Sequence, residues 1–128
     1  MRICIDLDGV LCEVKRPDES YADVKPIAGA ADALASLRRN GHTVIINTAR
    51  HMKSTDGNVG LVLARIGPVT LDWLATHGME YDEIHFGKPF ADLYIDDNAL
   101  RFTSWSEIDA TGEKLPVSTE RRVRGDSA

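Results

Sequence analysis

Short, mostly apolar runs that end in polar side chains constrain this fold more than any other feature of the sequence. They occupy residues 3–5, 43–46, 83–86 and 93–95, and glycine, proline or acidic residues bound them. Runs of this length, rich in β-branched residues, predict buried β-strands. The sequence therefore predicts four strands.

Helical patterns separate these runs. Apolar side chains recur at helical spacing from residue 27 to residue 37, and Asn40-Gly41 then gives a stop signal. A second helical pattern covers residues 59–65, and Gly67-Pro68 is expected to end it before a third helix closes at His77-Gly78. Strands that alternate with helices predict an α/β, Rossmann-like fold with a mostly parallel sheet.

Length and composition indicate one globular domain. The chain has 128 residues, and those beyond Trp105 become polar. We therefore expect a folded core over residues 1–108 and a polar, flexible tail over residues 109–128. A formal net charge of -5 weighs against binding to nucleic acid or to anionic membranes.

The two cysteines and the N-terminal sequence favour a cytoplasmic location. Cys4 and Cys12 make no disulfide framework, and Cys4 lies in an apolar run that predicts burial. No stretch of the sequence suggests a membrane span. Asp6 and Asp8 interrupt the first apolar run, so a signal-peptide pattern is not present.

Every predicted strand is followed by polar side chains suited to phosphate chemistry. Ligands of open α/β sheets bind at the carboxyl ends of the strands, so these side chains are expected to meet at one edge. They are Asp6 and Asp8 after the first strand, Thr48 and Arg50 after the second, Lys88 after the third, and Asp96 and Asp97 after the fourth.

Together these groups indicate phosphoryl transfer. An acidic cluster repels itself unless a cation occupies it, and its hard oxygen donors suit magnesium. Thr48 and Lys88 offer a hydroxyl donor and a positive charge for phosphoryl oxygens. Asp6 could attack phosphorus, while Asp8 protonates the leaving group and then activates water.

Four segments carry a family resemblance. Residues 6–11 (DLDGVL), 47–50 (NTAR), 88–89 (KP) and 94–97 (YIDD) resemble, in order, the four-motif signature of the haloacid dehalogenase superfamily. Residues 48–52, 57–60 and 81–89 are similar to a narrower group, the small capless capsule-biosynthesis phosphatases. This resemblance implies a phosphatase linked to polysaccharide biosynthesis, with a haloacid-dehalogenase-like fold.

The resemblance also implies a role for each matching residue. Asp6 is the expected nucleophile and a magnesium ligand, and Asp8 is the expected general acid/base and ligates the metal through its backbone carbonyl. The remaining expected roles are phosphate binding for Thr48, Ala49 and Lys88, metal binding for Asp97, and support of the metal site by Asp96. The gaps at 11–26 and 51–68 are too short for a folded cap, so the flap at 11–26, the 51–58 loop or a neighbouring subunit would close the site.

The predicted function is hydrolysis of phosphate monoesters, with a small sugar phosphate or related metabolite as the first substrate class. A phosphotransferase, a receiver-like phosphoacceptor domain, a module without activity and a nucleotide or polynucleotide phosphatase are the alternatives. Arg50 is expected either to contact substrate or to pair with a nearby carboxylate. Capless relatives often form oligomers, so a homo-oligomer is also expected.

Overall fold

A computed structural model describes residues 1–125 of the chain. Three parallel strands form one sheet in the order β1-β2-β3. Helices flank this sheet, which confirms the predicted α/β class, and no separate cap domain occurs within residues 1–125. In chain order the elements are β1 (Arg2–Asp6), α1 (Ala30–Arg39), β2 (Thr43–Thr48), α2 (Val59–Thr76), β3 (Glu83–Phe86), a 3-10 turn (Trp105–Glu107) and α3 (Thr119–Arg124).

The central strand β2 carries the core. It pairs in parallel with β1 and β3, so that Ile46 lies between Ile5 and Ile84. Burying one such side chain stabilises a fold by about 1.5–3 kcal/mol, which explains why the apolar runs become strands. The fully buried large side chains include Leu7, Leu11, Leu34, Leu37, Val44, Ile46, Val62 and Leu74.

Glycine fixes the start of α1. Gly29 is the N-cap residue and has φ +84°, in the left-handed region that disfavours other residues. A Cβ atom at this position would lie 3.2 Å from Cβ of Trp105. The helix ends at Asn40 as predicted, and Gly41 follows it with φ +87°.

The prediction that Gly67-Pro68 ends a helix is wrong, because α2 runs through this pair for 18 residues. A proline ring disfavours the helical conformation of the residue before it partly through a clash with that residue's Cβ, and Gly67 has no Cβ. Asn58 caps the helix, since its Oδ1 accepts a hydrogen bond from the N–H of Leu61 at 3.2 Å.

Helix α2 also corrects the expectation that no stretch suggests a membrane span. The helix has 18 residues and a mean hydropathy of 1.3, so its length and composition would allow it to span a membrane. Length and composition alone are weak evidence for a membrane span. One side of α2 is packed inside the protein, including Val62, Ile66, Trp73 and Leu74. The core helix of a folded domain has the same composition.

The fourth predicted strand, at residues 93–95, is not formed. Leu93, Tyr94 and Ile95 are 67%, 47% and 92% exposed. Asp96 Oδ1 accepts hydrogen bonds from the N–H groups of Asp97 and Asn98, at 2.7 and 3.4 Å. Such local bonds compete with strand pairing, and residues 93–96 have no regular secondary structure. Strand β1 is consequently an edge of the sheet.

The prediction that Cys4 is buried is wrong. Cys4 is exposed on the edge strand β1, whereas Cys12 is fully buried. An edge strand has no neighbour on one side, so an apolar run there does not bury every side chain.

Part of the predicted tail contacts the body of the protein. The hydroxyl of Ser36 donates a 2.7 Å hydrogen bond to the carbonyl of Ala110, and Leu115 packs against the core. The boundary at residue 108 stays a prediction, and residues 126–128 of the predicted tail lie outside the described residues.

Candidate active site

Three strand ends bring the predicted site residues to one edge of the sheet. Asp6 ends β1, Thr48 ends β2, and Lys88 lies two residues after β3. The backbone N–H of Lys88 donates to the carbonyl of Thr48 at 3.1 Å. Its Nζ lies 3.6 Å from Asp6 Oδ2. A carboxylate and a cation therefore face the same space, as expected at the carboxyl ends of parallel strands.

A tight turn after β1 places Asp8. The carbonyl of Leu7 accepts hydrogen bonds from the N–H groups of Val10, Leu11 and Cys12, at 3.2, 2.9 and 3.2 Å. Gly9 supplies a left-handed conformation inside this turn, with φ +87°. The chain therefore makes one tight turn between Leu7 and Cys12, and the Asp8 side chain is about one quarter exposed, at 26%.

Arg50 holds the Asp8 carboxylate in a fork. Arg50 Nε donates to Asp8 Oδ1 and Oδ2 at 3.2 and 3.0 Å, and Nη2 donates to Oδ1 at 3.0 Å. The Sγ of Cys12 adds a weak 3.4 Å contact to Oδ1. Paired donors of this kind fix both the position and the rotation of a carboxylate. Of the two roles expected for Arg50, the structure shows the ion pair with a carboxylate; contact with substrate stays a prediction.

The Arg50 side chain is itself buried, with 1% of its surface exposed. Its Nη1 donates to Thr70 Oγ1 of α2 at 3.0 Å, and its guanidinium lies 4.2 Å from the ring centre of Tyr21. The backbone N–H of Arg50 donates to Thr48 Oγ1 at 3.1 Å. Strand β2, helix α2 and the flap therefore all hold the group that orients Asp8.

The predicted phosphate-binding residues are at the same edge with different exposure. Thr48 is fully buried, and its hydroxyl already accepts the Arg50 N–H. The carbonyl of Ala49 accepts from the N–H of Met52 at 3.0 Å. The Lys88 side chain is 21% exposed and is the cation nearest to Asp6 among the described ion pairs.

Asp96 and Asp97 are not brought into an acidic cluster with Asp6. Asp97 Oδ2 accepts the backbone N–H of Thr119 at 3.3 Å, and hydrogen bonds from Thr119 lower the pKa of Asp97. Within residues 1–125, no three His, Cys, Asp or Glu side chains form a group that could hold a metal. Asp96 lies along a cavity of about 560 Å³ that Asp6 and Lys88 also line.

Sequence reasoning assigned no role to two residues next to Arg50, Thr70 and His51. Thr70 lies in the middle of α2 and carries no sequence signal for a role near the site. His51 follows Arg50 with φ +59°, and its Nδ1 is inaccessible and has no hydrogen-bond partner. A non-glycine residue in this conformation marks local strain, which often occurs near functional groups.

Burial and the charge of Asp8 change the chemistry of its neighbours. Burial, followed by the Asp8 charge, raises the pKa of the Cys12 thiol to about 12. Burial also raises the pKa of Tyr21, again with a contribution from Asp8. Cys12 is therefore a neutral thiol at physiological pH, without the thiolate that a nucleophile needs.

Comparison with known proteins gives structural relatives only. No protein-family model and no curated protein matches the chain. A D,D-heptose 1,7-bisphosphate phosphatase from B. bronchiseptica, complexed with magnesium and phosphate, is 24% identical, with a TM-score of 0.45 over 66% of this chain and 48% of that chain. A Pnkp1/Rnl/Hen1 complex contains a chain that is 22% identical, with a TM-score of 0.49 over 76% of this chain and 30% of that one. At these values neither likeness carries an argument about this protein.

A Vibrio cholerae protein of known crystal structure is much more similar. It is 31% identical, with a TM-score of 0.73, and the match covers 96% of this chain and 94% of that chain. The similarity therefore extends over nearly the full length of both chains, and the chain belongs to the same family as this Vibrio cholerae protein.

Proposed function

We propose that this protein is a magnesium-dependent phosphomonoester hydrolase that forms an aspartyl-phosphate on Asp6. The observation that carries the proposal is the arrangement of two carboxylates at one sheet edge. Asp6 faces the Lys88 ammonium group at 3.6 Å, while Asp8, two residues later, is oriented by Arg50. The resemblance to capless haloacid dehalogenase phosphatases supports a small sugar phosphate or related metabolite as substrate.

The proposed donor atoms are of the type that magnesium prefers. The Asp6 carboxylate and the Asp8 backbone carbonyl are hard oxygen ligands, and no sulfur or imidazole is proposed as a ligand. Asp97 is the proposed third protein ligand, with Asp96 in support, and these two assignments rest on the resemblance. Bound there, the ion would neutralise negative charge on the phosphoryl group.

The first chemical step uses Asp6 and Asp8 in different roles. A lone pair of the Asp6 carboxylate forms a bond to phosphorus, and the bond between phosphorus and the ester oxygen breaks. Protonated Asp8 gives its proton to the departing oxygen. Lys88, with Thr48 and Ala49, holds the phosphoryl oxygens while the charge shifts.

The second step returns the enzyme to its starting state. Asp8 accepts a proton from water, the water oxygen bonds to phosphorus, and the bond from phosphorus to Asp6 breaks. Asp8 Oδ2 accepts one hydrogen bond from Arg50, whereas Oδ1 has three partners. Oδ2 is therefore the oxygen with capacity left to carry the proton.

Hydrolysis is favoured over transfer to a second substrate. A phosphotransferase must keep water away from the aspartyl-phosphate, and the described residues include no cap domain that would do so. A receiver domain has its acidic pair on the first strand and its phosphoacceptor on a middle strand. Here the proposed phosphoacceptor, Asp6, ends the first strand, and the Asp96-Asp97 pair comes last in the chain.

We further propose a cytoplasmic location and a homo-oligomer.

A phosphate-release assay tests the proposal. The purified protein is incubated with p-nitrophenyl phosphate and a panel of sugar phosphates, with Mg²⁺ or with EDTA, beside Asp6→Asn. We expect release that needs Mg²⁺ and is lost in the variant. Release that continues in EDTA or in Asp6→Asn would exclude this mechanism, and stable phosphorylation without turnover would support a receiver.

A further inference from the structure

An exposed aromatic ring lies against the lysine that faces the proposed nucleophile. Within the described part of the chain, Phe90 and Tyr94 are the aromatic side chains with more than a third of their surface exposed, at 57% and 47%. Both lie within six residues of Lys88. The other rings are packed or half-buried, including Trp73 and Trp105 in the core. Within residues 1–125, the exposed phenylalanine and tyrosine rings therefore both lie in the segment that follows Lys88.

A cation accompanies each exposed ring. Lys88 Nζ lies 4.5 Å from the centre of the Tyr94 ring, and Lys53 Nζ lies 5.2 Å from the centre of the Phe90 ring. The Tyr94 hydroxyl donates a hydrogen bond to the carbonyl of Pro89. The ring can stack on a planar group, and the neighbouring cation attracts negative charge.

Lys88 links the Tyr94 ring to the chemistry. The same Nζ that lies 4.5 Å from the ring centre lies 3.6 Å from Asp6 Oδ2. The ring centre is therefore no farther from the nucleophilic oxygen than the sum of those two distances. When the phosphoryl group of a substrate lies at Asp6, the rest of the substrate extends toward the Tyr94 ring. A planar base that is separated from the phosphate by one sugar would reach this ring.

We propose that the rings of Tyr94 and Phe90 bind the organic part of the substrate while Lys88 holds its phosphoryl group, and that the substrate is a nucleoside monophosphate. This inference rests on the proposed function and narrows its substrate to a sugar phosphate that carries a planar base. The net charge of -5 favours a free nucleotide over the end of a polynucleotide, because nonspecific binding to a phosphate backbone needs positive charge.

A matched pair of substrates tests the inference. Adenosine 5′-monophosphate and ribose 5-phosphate share the sugar and the phosphate and differ only in the base. Stacking on an aromatic ring favours a base by roughly 5- to 150-fold. We therefore expect kcat/KM for the nucleotide to exceed that for ribose 5-phosphate by a factor in this range. Tyr94→Leu should remove most of this preference, Tyr94→Phe should keep most of it, and Ile95→Ala, a change at a 92% exposed neighbour, serves as the control.

The outcomes separate the inference from the proposed function. Equal kcat/KM for the two substrates, or an equal loss for both in Tyr94→Leu, would overturn the inference while hydrolysis itself upheld the proposed function. If neither ester is hydrolysed, the proposed function fails, and titration calorimetry with the two ligands decides the inference. Tighter binding of the nucleotide that depends on Tyr94 supports the inference. Equal binding of the two ligands, or no binding, overturns it. Faster hydrolysis of a phosphorylated oligonucleotide than of the nucleotide would overturn the assignment to a free nucleotide.

Discussion

Neutralising each of the two carboxylates of the first motif should have unequal effects on stability, large for Asp8 and small for Asp6. Asp8→Asn leaves the Arg50 guanidinium, 1% exposed, without a counter-charge. Breaking a buried ion pair by removing one partner costs about 3–5 kcal/mol. The Asn amide oxygen still accepts one hydrogen bond, so we expect a loss of about 3 kcal/mol in the free energy of unfolding. For a domain of this length that lowers Tm by roughly 10 °C.

Asp6→Asn is the matched control. The Asp6 and Lys88 side chains are 37% and 21% exposed, and their charged atoms are 3.6 Å apart. Exposed pairs of this kind contribute about 0–1 kcal/mol, so this variant should unfold within about 1 kcal/mol of the wild type.

Urea denaturation of both variants and of Asp8→Asn/Arg50→Met measures the effect. The double variant removes both charges, so it should be less destabilised than the sum of its single variants, and the interaction energy should exceed about 1 kcal/mol. Equal stability of Asp8→Asn and Asp6→Asn, together with additive behaviour in the double variant, would refute the reasoning that Arg50 depends on Asp8.

Three further predictions concern acid stability, thiol reactivity and backbone strain. Hydrogen bonds from Arg2 and His85 lower the pKa of Glu83 from 4.5 to about 2, so its stabilising effect is present above pH 4.5 and is lost as the pH falls toward 2. The difference in unfolding free energy between wild type and Glu83→Gln, from urea titrations at several pH values, should therefore shrink over that interval; a constant difference would contradict it. Cys4 is exposed and Cys12 is buried, so a thiol reagent should label Cys4 in the native protein and Cys12 only after unfolding. Mass spectrometry identifies the labelled residue, and labelling of Cys12 before Cys4 in the native protein would contradict the structure. Gly29→Ala places a side chain in a left-handed conformation and in close contact with Trp105, so it should lower the unfolding free energy by about 1–2 kcal/mol. Gly41→Ala has the same kind of φ but meets no atom within 4 Å, so its loss in urea denaturation should be smaller. Equal losses would show that the contact with Trp105 is unimportant.

The sequence predicts the parts of this fold that depend on continuous burial. Ile3, Ile46 and Ile84 lie in runs that are buried or half-buried in the sheet, and all three runs are strands. The helical spacing before Asn40 corresponds to α1. The juxtaposition of Asp6 with Lys88 was also predictable, since parallel strands place their carboxyl ends at one edge.

The parts that depend on three-dimensional neighbours were not predictable. Pro68 does not end α2, because the residue before it is glycine and the surrounding core holds the helix. Residues 93–95 have a strand-like sequence and are nevertheless exposed, because Asp96 bonds locally. The ion pair of Arg50 with Asp8 could be identified only from the structure, which shows the burial of Arg50 and its contact with Thr70; contact of Arg50 with substrate stays a prediction.

Detection of the covalent intermediate tests the central claim most directly. The enzyme is quenched with acid during turnover of a phosphate ester in Mg²⁺, and peptides are then analysed by mass spectrometry. We expect a phosphoryl group on Asp6 that is absent from Asp6→Asn and from enzyme quenched without substrate. Phosphate release without any labelled Asp6, or a label on another residue, would contradict the account.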